Sequence, residues 1–128
     1  MKKLIIVAAI LFAFKASAQT TTIAAKDADK HLNETVTVTG KIFGSKFFAN
    51  SNMTLLDVDG FNPNQKLTLM ISGTDRPKFK GKPEDDYKGK EVTVTGKIID
   101  FKGKPEIVIT DPDQIKVELT DNMVKPGF

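Results

Sequence analysis

Apolar and polar residues alternate strictly over two short stretches that spell the same heptapeptide. Val-Thr-Val-Thr-Gly-Lys-Ile runs from Val36 to Ile42 and returns 56 residues later, from Val92 to Ile98. Val36, Val38 and Ile42 alternate with Thr35, Thr37, Thr39 and Lys41, and Val92, Val94 and Ile98 alternate with Thr93, Thr95 and Lys97. A period of two built from β-branched residues predicts strands with one face in a core and the other polar. Gly40 and Gly96 fall in the core-facing register, where a missing side chain marks a bulge or a sharp bend. Bending strands point to a barrel. Two copies are too few for a solenoid, so the repeat reads as a pseudo-symmetric strand pair within one domain.

The same patterning places three more strands. Met53 to Val58 is the second, and Lys66 to Ile71 is the third, with Leu67, Leu69 and Ile71 on one face. Asp59-Gly60 through Gln65 is the turn between them. Ser72 to Lys90 carries Pro77, Gly81, Pro83 and Gly89 and is mostly loop, with a short helix over Pro83 to Lys88 whose proline and acids suit a first turn. Phe101-Lys102-Gly103-Lys104 is a turn after the fourth strand, and Glu106 to Thr110 is the fifth. Ile115, Val117 and Leu119 form a terminal extension. Ahead of the first strand, Asp27 caps one helical turn that ends at Leu32, with Ala28 and Leu32 on one side.

The chain start follows a different logic. Lys2 and Lys3 precede a wholly apolar run from Leu4 to Phe14, and Ala16-Ser17-Ala18 supplies the small residues of a cleavage site. Residues 1–18 read as a secretory signal, because a membrane span needs about 20 apolar residues and Lys15 ends this run early. The expectation is a domain over 19–128, secreted or periplasmic, without a membrane span once the signal is gone. Charge changes with it: Lys2, Lys3 and Lys15 leave, and the 19 basic residues fall to 16 against 16 acidic. A formally neutral chain offers no global basicity, so an anionic partner must be held by a local patch.

Composition narrows the chemistry further. There is no Cys, one His and one Arg, which excludes thiol chemistry and leaves little for His-bridged metals, a Ser-His-Asp triad or arginine clamps. His31 lies before the first strand as Tyr87 lies before the fourth, and both read as packing residues at the edge. Asp57, Asp59, Asn62 and Asn64 surround a turn rich in oxygen ligands, yet their spacing does not match an EF-hand loop. The expectation is a protein that is not an enzyme, with no catalytic residues, no metal and no cofactor.

The element order fits an all-β fold with short helices: a five-stranded Greek-key OB-fold barrel over about 23–119, with a helix between strands three and four and a short C-terminal tail. Four segments carry a family resemblance: Ala25-Lys26-Asp27-Ala28, Glu34 to Ile42, Tyr87 to Ile98, and Lys102 to Asp111. On these the chain resembles small secreted bacterial OB-fold domains of the tRNA-anticodon-like type, from about Ile23 to Val117. The resemblance implies the barrel, with its first and fourth strands side by side. It implies nucleic-acid binding only by analogy of fold.

OB-folds bind ligands across strands two and three and between the loops that follow strands one and four. The first loop holds Lys46, Phe47 and Phe48, and the second holds Phe101, Lys102 and Lys104. Rings that stack bases beside lysines that neutralise phosphates are what single-stranded nucleic acid requires. The same three rings could instead plug the barrel ends, and the preference of Phe for interiors favours that. Lys66, with Thr68, lies on the polar face of the third strand and would extend the site. Arg76, Lys78, Lys80 and Lys82 form a secondary basic cluster, alternating as on one side of an extended strand, with Glu84, Asp85 and Asp86 at hand to neutralise it. The leading ligand is single-stranded nucleic acid or an oligonucleotide. The alternative is a protein partner or small ligand of the cell envelope, and the sequence leaves the oligomeric state open.

Overall fold

The computed structural model describes residues 20–119. The segment read as a secretory signal, its expected cleavage site and the last part of the C-terminal tail lie outside the described residues. Seven strands form one mixed sheet: β1 (Thr22–Ala24), β2 (Thr35–Phe48), β3 (Met53–Val58), β4 (Leu67–Ile71), β5 (Glu91–Phe101), β6 (Lys104–Val108) and β7 (Ile115–Val117). One α-helical turn, α1 (Pro83–Asp86), and three short 3-10 turns complete the described residues. None of the described helices is long and apolar enough to cross a membrane.

Five strands close a ring. β2 pairs with β3, β3 with β4, β4 in parallel with β6, β6 with β5, and β5 returns antiparallel to β2. The duplicated heptapeptides are that last pair, with Val38 opposite Val94 and Thr37 opposite Thr95. On the polar side the two threonine hydroxyls meet at 2.9 Å, a cross-strand hydrogen bond of the kind that fixes register. α1 lies between the third and fourth ring strands. This mostly-β ring is consistent with an OB-like fold.

The ring closes because β2 and β5 are long enough to serve two partners each. β2 leaves β5 after Lys41 and pairs with β3 from Ile42 onward, while β5 passes from β2 to β6 at Ile98. Gly40 and Gly96 stand close to these transitions, although neither is a bulge. A Cβ on Gly40 would come within 2.5 Å of Val58, and one on Gly96 within 2.7 Å of Ile107. Their missing side chains let strands approach across the interior, and the bulge falls three residues further on, at Phe43. The interior is filled by Val36, Val38, Ile42, Leu56, Leu69, Ile71, Val94, Ile98 and Ile107, all buried. Each such side chain contributes about 1.5 to 3 kcal/mol by leaving water.

Three expectations need correction at the edges. The first helical turn runs over Ala25–Lys30 as a 3-10 turn, with Ala24 at its cap position and no side-chain cap, so Asp27 sits inside it and Leu32 is exposed. Ala25 and Ala28 are buried there because the turn is tied down by β1, which lies parallel to β2. β1 itself has too few residues to show a period. At the other end Ile115 and Val117 add β7 to β5, whereas Leu119 is exposed.

Candidate functional site

β2 does not stop at Ile42. It continues to Phe48, so Lys46, Phe47 and Phe48 are strand residues rather than loop residues. Phe43 is the one extra residue between Ile42, opposite Val58, and Gly44, opposite Asp57. A bulge of one residue exchanges the two faces for everything that follows. Ser45 and Phe47 consequently share the side of Leu56 and Thr54, while Gly44, Lys46 and Phe48 stand outside with Asp57, Leu55 and Met53. The two neighbouring phenylalanines serve different parts of the molecule.

The outer side is a cleft of about 590 Å³, within the size range of small-ligand sites. Its floor is the outward face of β3 and β4, where Leu55 stands opposite Met70 and Asp57 opposite Thr68. Thr68 in turn neighbours Glu106 on β6. The rim comes from two places: Lys46 and Phe48 at the end of β2, and Phe101, Lys102 and Lys104 at the β5–β6 turn. That turn is a two-residue hairpin in which Lys102 and Gly103 both take left-handed φ, at 51° and 85°, as a twisted hairpin requires. Five of the seven residues proposed for the main site therefore line one cleft. Phe47 is on the opposite side, and Lys66 is exposed just before β4 without lining the cleft.

The rings are not plugs. Phe101 is 51% exposed, and Phe48 is half-buried. Lys102 Nζ lies 5.3 Å from the Phe101 ring centre and Lys46 Nζ 5.1 Å from that of Phe48. Phe79 is the one phenylalanine in the core among the described residues. Phe61, read from the sequence as an ordinary turn residue, is 62% exposed and meets Phe43 edge to face at 5.3 Å. The neighbouring Asn62 and Gln65 reach the cleft, and Lys104 Nζ donates to the Pro63 carbonyl at 2.9 Å.

Two carboxylates and an amide lie on the floor. Glu106 is only 6% exposed, and burial pushes its carboxyl above the usual range. Burial also raises Asp57, with the Asn62 backbone N–H opposing it. Gln65 Nε2 donates to Thr68 Oγ1 at 2.9 Å, while its Oε1 is buried without a partner. Sequence reasoning missed Glu106, Gln65, Met53, Leu55 and Met70 as site residues. The available signal was Met53-Thr54-Leu55-Leu56-Asp57-Val58, where apolar residues fall on both faces of one strand.

The secondary basic cluster is not an extended track. Arg76–Lys78 is a 3-10 turn, which breaks the alternation that would have aligned the four cations. Arg76 donates to Glu84 Oε2 at 2.6 Å and lies 4.2 Å from the Phe47 ring centre, while Thr54 Oγ1 donates to Glu84 Oε1 at 3.2 Å. Burial is the strongest single influence on the Glu84 carboxyl and raises it, but the hydrogen bonds from Arg76, the backbone and Thr54, with the Arg76 charge, together bring the net shift downward. Lys78 pairs with Asp75 at 2.8 Å and lowers that carboxyl. Lys80 and Lys82 are exposed and make no ion pair among the described residues. His31 Nδ1 lies 2.8 Å from Glu34 Oε1, and Tyr87 packs edge to face on Phe79. Asp59 accepts the Lys41 N–H at 2.8 Å.

No family model and no curated protein matches the chain. Among solved structures it is similar to a crystallised chain assigned as an aspartyl-tRNA synthetase from Leishmania major Friedlin, at 10% identity and a TM-score of 0.50. The likeness covers 77% of this chain and 20% of that one, so this chain spans about a fifth of its neighbour's length. At that identity it bears on fold alone, and it agrees with an OB-like ring.

Proposed function

We propose that this is a Greek-key OB-fold barrel that binds single-stranded nucleic acid or an oligonucleotide across the β3–β4 face and does not act as an enzyme. One observation carries the reading: rings and lysines from two separate places, Lys46 with Phe48 at the end of β2 and Phe101 with Lys102 and Lys104 about the β5–β6 turn, line the same cleft. Support for the fold comes from the strand order of the ring, with α1 between its third and fourth strands. The name of the structural neighbour includes a nucleic acid, tRNA. The lysines over the two rings are no obstacle. A cation over an exposed ring contributes about 0.5 to 1 kcal/mol, whereas a stacked base contributes about 1 to 3 kcal/mol. A base displaces the ammonium from the ring face, and the released lysine is then free for a phosphate.

The first eighteen residues support a secreted or periplasmic location, where nucleic acid is scarcer than inside the cell. A second reading therefore keeps a specific observation: the floor of Met53, Leu55 and Met70 is apolar and suits a small ligand or protein partner of the envelope. Fluorescence anisotropy of labelled single-stranded DNA and RNA at low and physiological salt separates the two. Micromolar binding that weakens with salt supports the nucleic-acid reading. No binding at low salt rejects it in favour of the envelope ligand.

A further inference from the structure

The apolar floor of the cleft carries a group of acceptors. Glu106 is buried to within 6% and lines the cleft, yet among the described residues it has no side-chain hydrogen bond and no ion pair. The three cleft lysines are engaged elsewhere: Lys104 on the Pro63 carbonyl, Lys46 over Phe48 and Lys102 over Phe101. Gln65 lies along the same floor with Oε1 buried and unpartnered, its Nε2 donating to Thr68 Oγ1. Asp57 completes the set, opposite Thr68 across the β3–β4 pair. An unpaired buried acceptor is costly to keep; Glu106 and Gln65 Oε1 lack a donor here, whereas half-buried Asp57 takes the Asn62 N–H.

We propose that Glu106, with Gln65 beside it, reads the hydrogen-bond donor edge of one unstacked base, so that the cleft selects guanine over thymine or uracil. This rests on the nucleic-acid reading of the cleft. Guanine presents N1–H and the N2 amino group side by side, two parallel donors for one carboxylate. Adenine and cytosine present a single amino group beside an acceptor nitrogen. Thymine and uracil present one N–H between two carbonyl oxygens, which face a carboxylate unfavourably. Unstacked bases are commonly held this way, with the ring on an aromatic side chain and the Watson–Crick edge on polar groups. Phe48 and Phe101 supply the aromatic surfaces, Glu106 and Gln65 the edge contacts, and the rim lysines the phosphate contacts.

The test is anisotropy with short labelled oligothymidylates carrying guanine, inosine, cytosine, adenine or thymine at the central position. Guanine should bind about tenfold more tightly than thymine, the discrimination expected of one good bidentate contact. Inosine lacks the N2 amino group and should lose most of that gain. Glu106→Gln should bring the guanine-to-thymine ratio to about one, with a melting curve confirming that the variant is folded. If it is not folded, the inosine comparison alone decides. Equal affinity for all five oligomers, or a guanine preference that survives in a folded Glu106→Gln, overturns the base-reading role and leaves the nucleic-acid reading standing. Failure of every oligomer to bind overturns both.

Discussion

Two glutamates on the outside of the ring meet opposite fates. Glu84, on α1, is enclosed by the guanidinium of Arg76 and the hydroxyl of Thr54. Glu106, on β6, is as deeply covered and has no partner among the described residues. The pair on the α1 side is satisfied within the chain, and its ring, Phe47, lies under Arg76 at 4.2 Å. Of the rings on the cleft side, Phe101 is open to solvent and Phe48 is half-buried. The acid on the α1 side is paired with a cation, and the acid on the cleft side is not. Residue type is the same in both regions, so pairing rather than composition distinguishes structure from site.

The largest break in this contrast is Arg76→Ala. Side-chain exposure is 22% for Arg76 and 12% for Glu84, so the deletion leaves a mostly buried carboxylate unpaired and uncovers Phe47. The expected loss is about 3 kcal/mol at neutral pH, read as a shift in the urea midpoint at unchanged m-value. The pH dependence follows from the lowered Glu84 carboxyl. Its contribution is complete above the ordinary carboxylate range and disappears as pH falls through the depressed value. The difference between Arg76→Ala and the parent chain should therefore shrink in acid.

Much of the ring was legible because the heptapeptides carry their pairing with them. Alternating Val and Thr in both copies makes Val38 face Val94 and Thr37 face Thr95; the second and third strands fall within a residue of their expected bounds, whereas the fifth runs over Lys104–Val108 rather than Glu106 to Thr110. The extension of β2 to Phe48 was not legible, since Phe43-Gly44-Ser45-Lys46-Phe47-Phe48 shows no period of two and the bulge at Phe43 exchanges the faces within it. That bulge decides which of Phe47 and Phe48 faces the cleft. Glu106 was hidden differently. In Glu106-Ile107-Val108-Ile109 the acid reads as the polar end of a strand, and only the parallel partner β4 shows that it is covered.

The next effect separates the rings. Stacking on a single ring contributes about 1 to 3 kcal/mol, so Phe101→Ala should weaken oligonucleotide binding by roughly five- to a hundredfold while its exposed position leaves the melting temperature nearly unchanged. Phe47→Ala should do the reverse, lowering the melting temperature without altering the salt dependence or affinity of binding. If both variants lose stability and neither loses binding, the distinction drawn from the bulge is wrong. Glu106→Gln has a smaller effect of opposite sign. Burial raises the folded carboxyl, so the folded chain holds its proton more tightly than the unfolded one, and the cost of ionisation appears as pH rises through the raised value. Calorimetry across that range should show Glu106→Gln more stable than the parent at neutral pH and level with it in acid.

The smallest effects belong to the lysines, and they test whether the cleft rim alone carries the phosphates. Single-strand binding loses about 0.7 in the slope of log affinity against log salt for each phosphate contact removed. Lys46→Gln and Lys102→Gln should each flatten the slope by about that amount. Gln is used at position 102 because it keeps a long side chain on the left-handed residue of the hairpin, where φ is 51°. Lys80→Gln and Lys82→Gln, on the side where the 3-10 turn breaks the basic track, should leave the slope unchanged. Equal flattening by all four would mean that the strand runs past the cleft onto the α1 side, and the contrast between an open face and a closed one would not hold for nucleic acid.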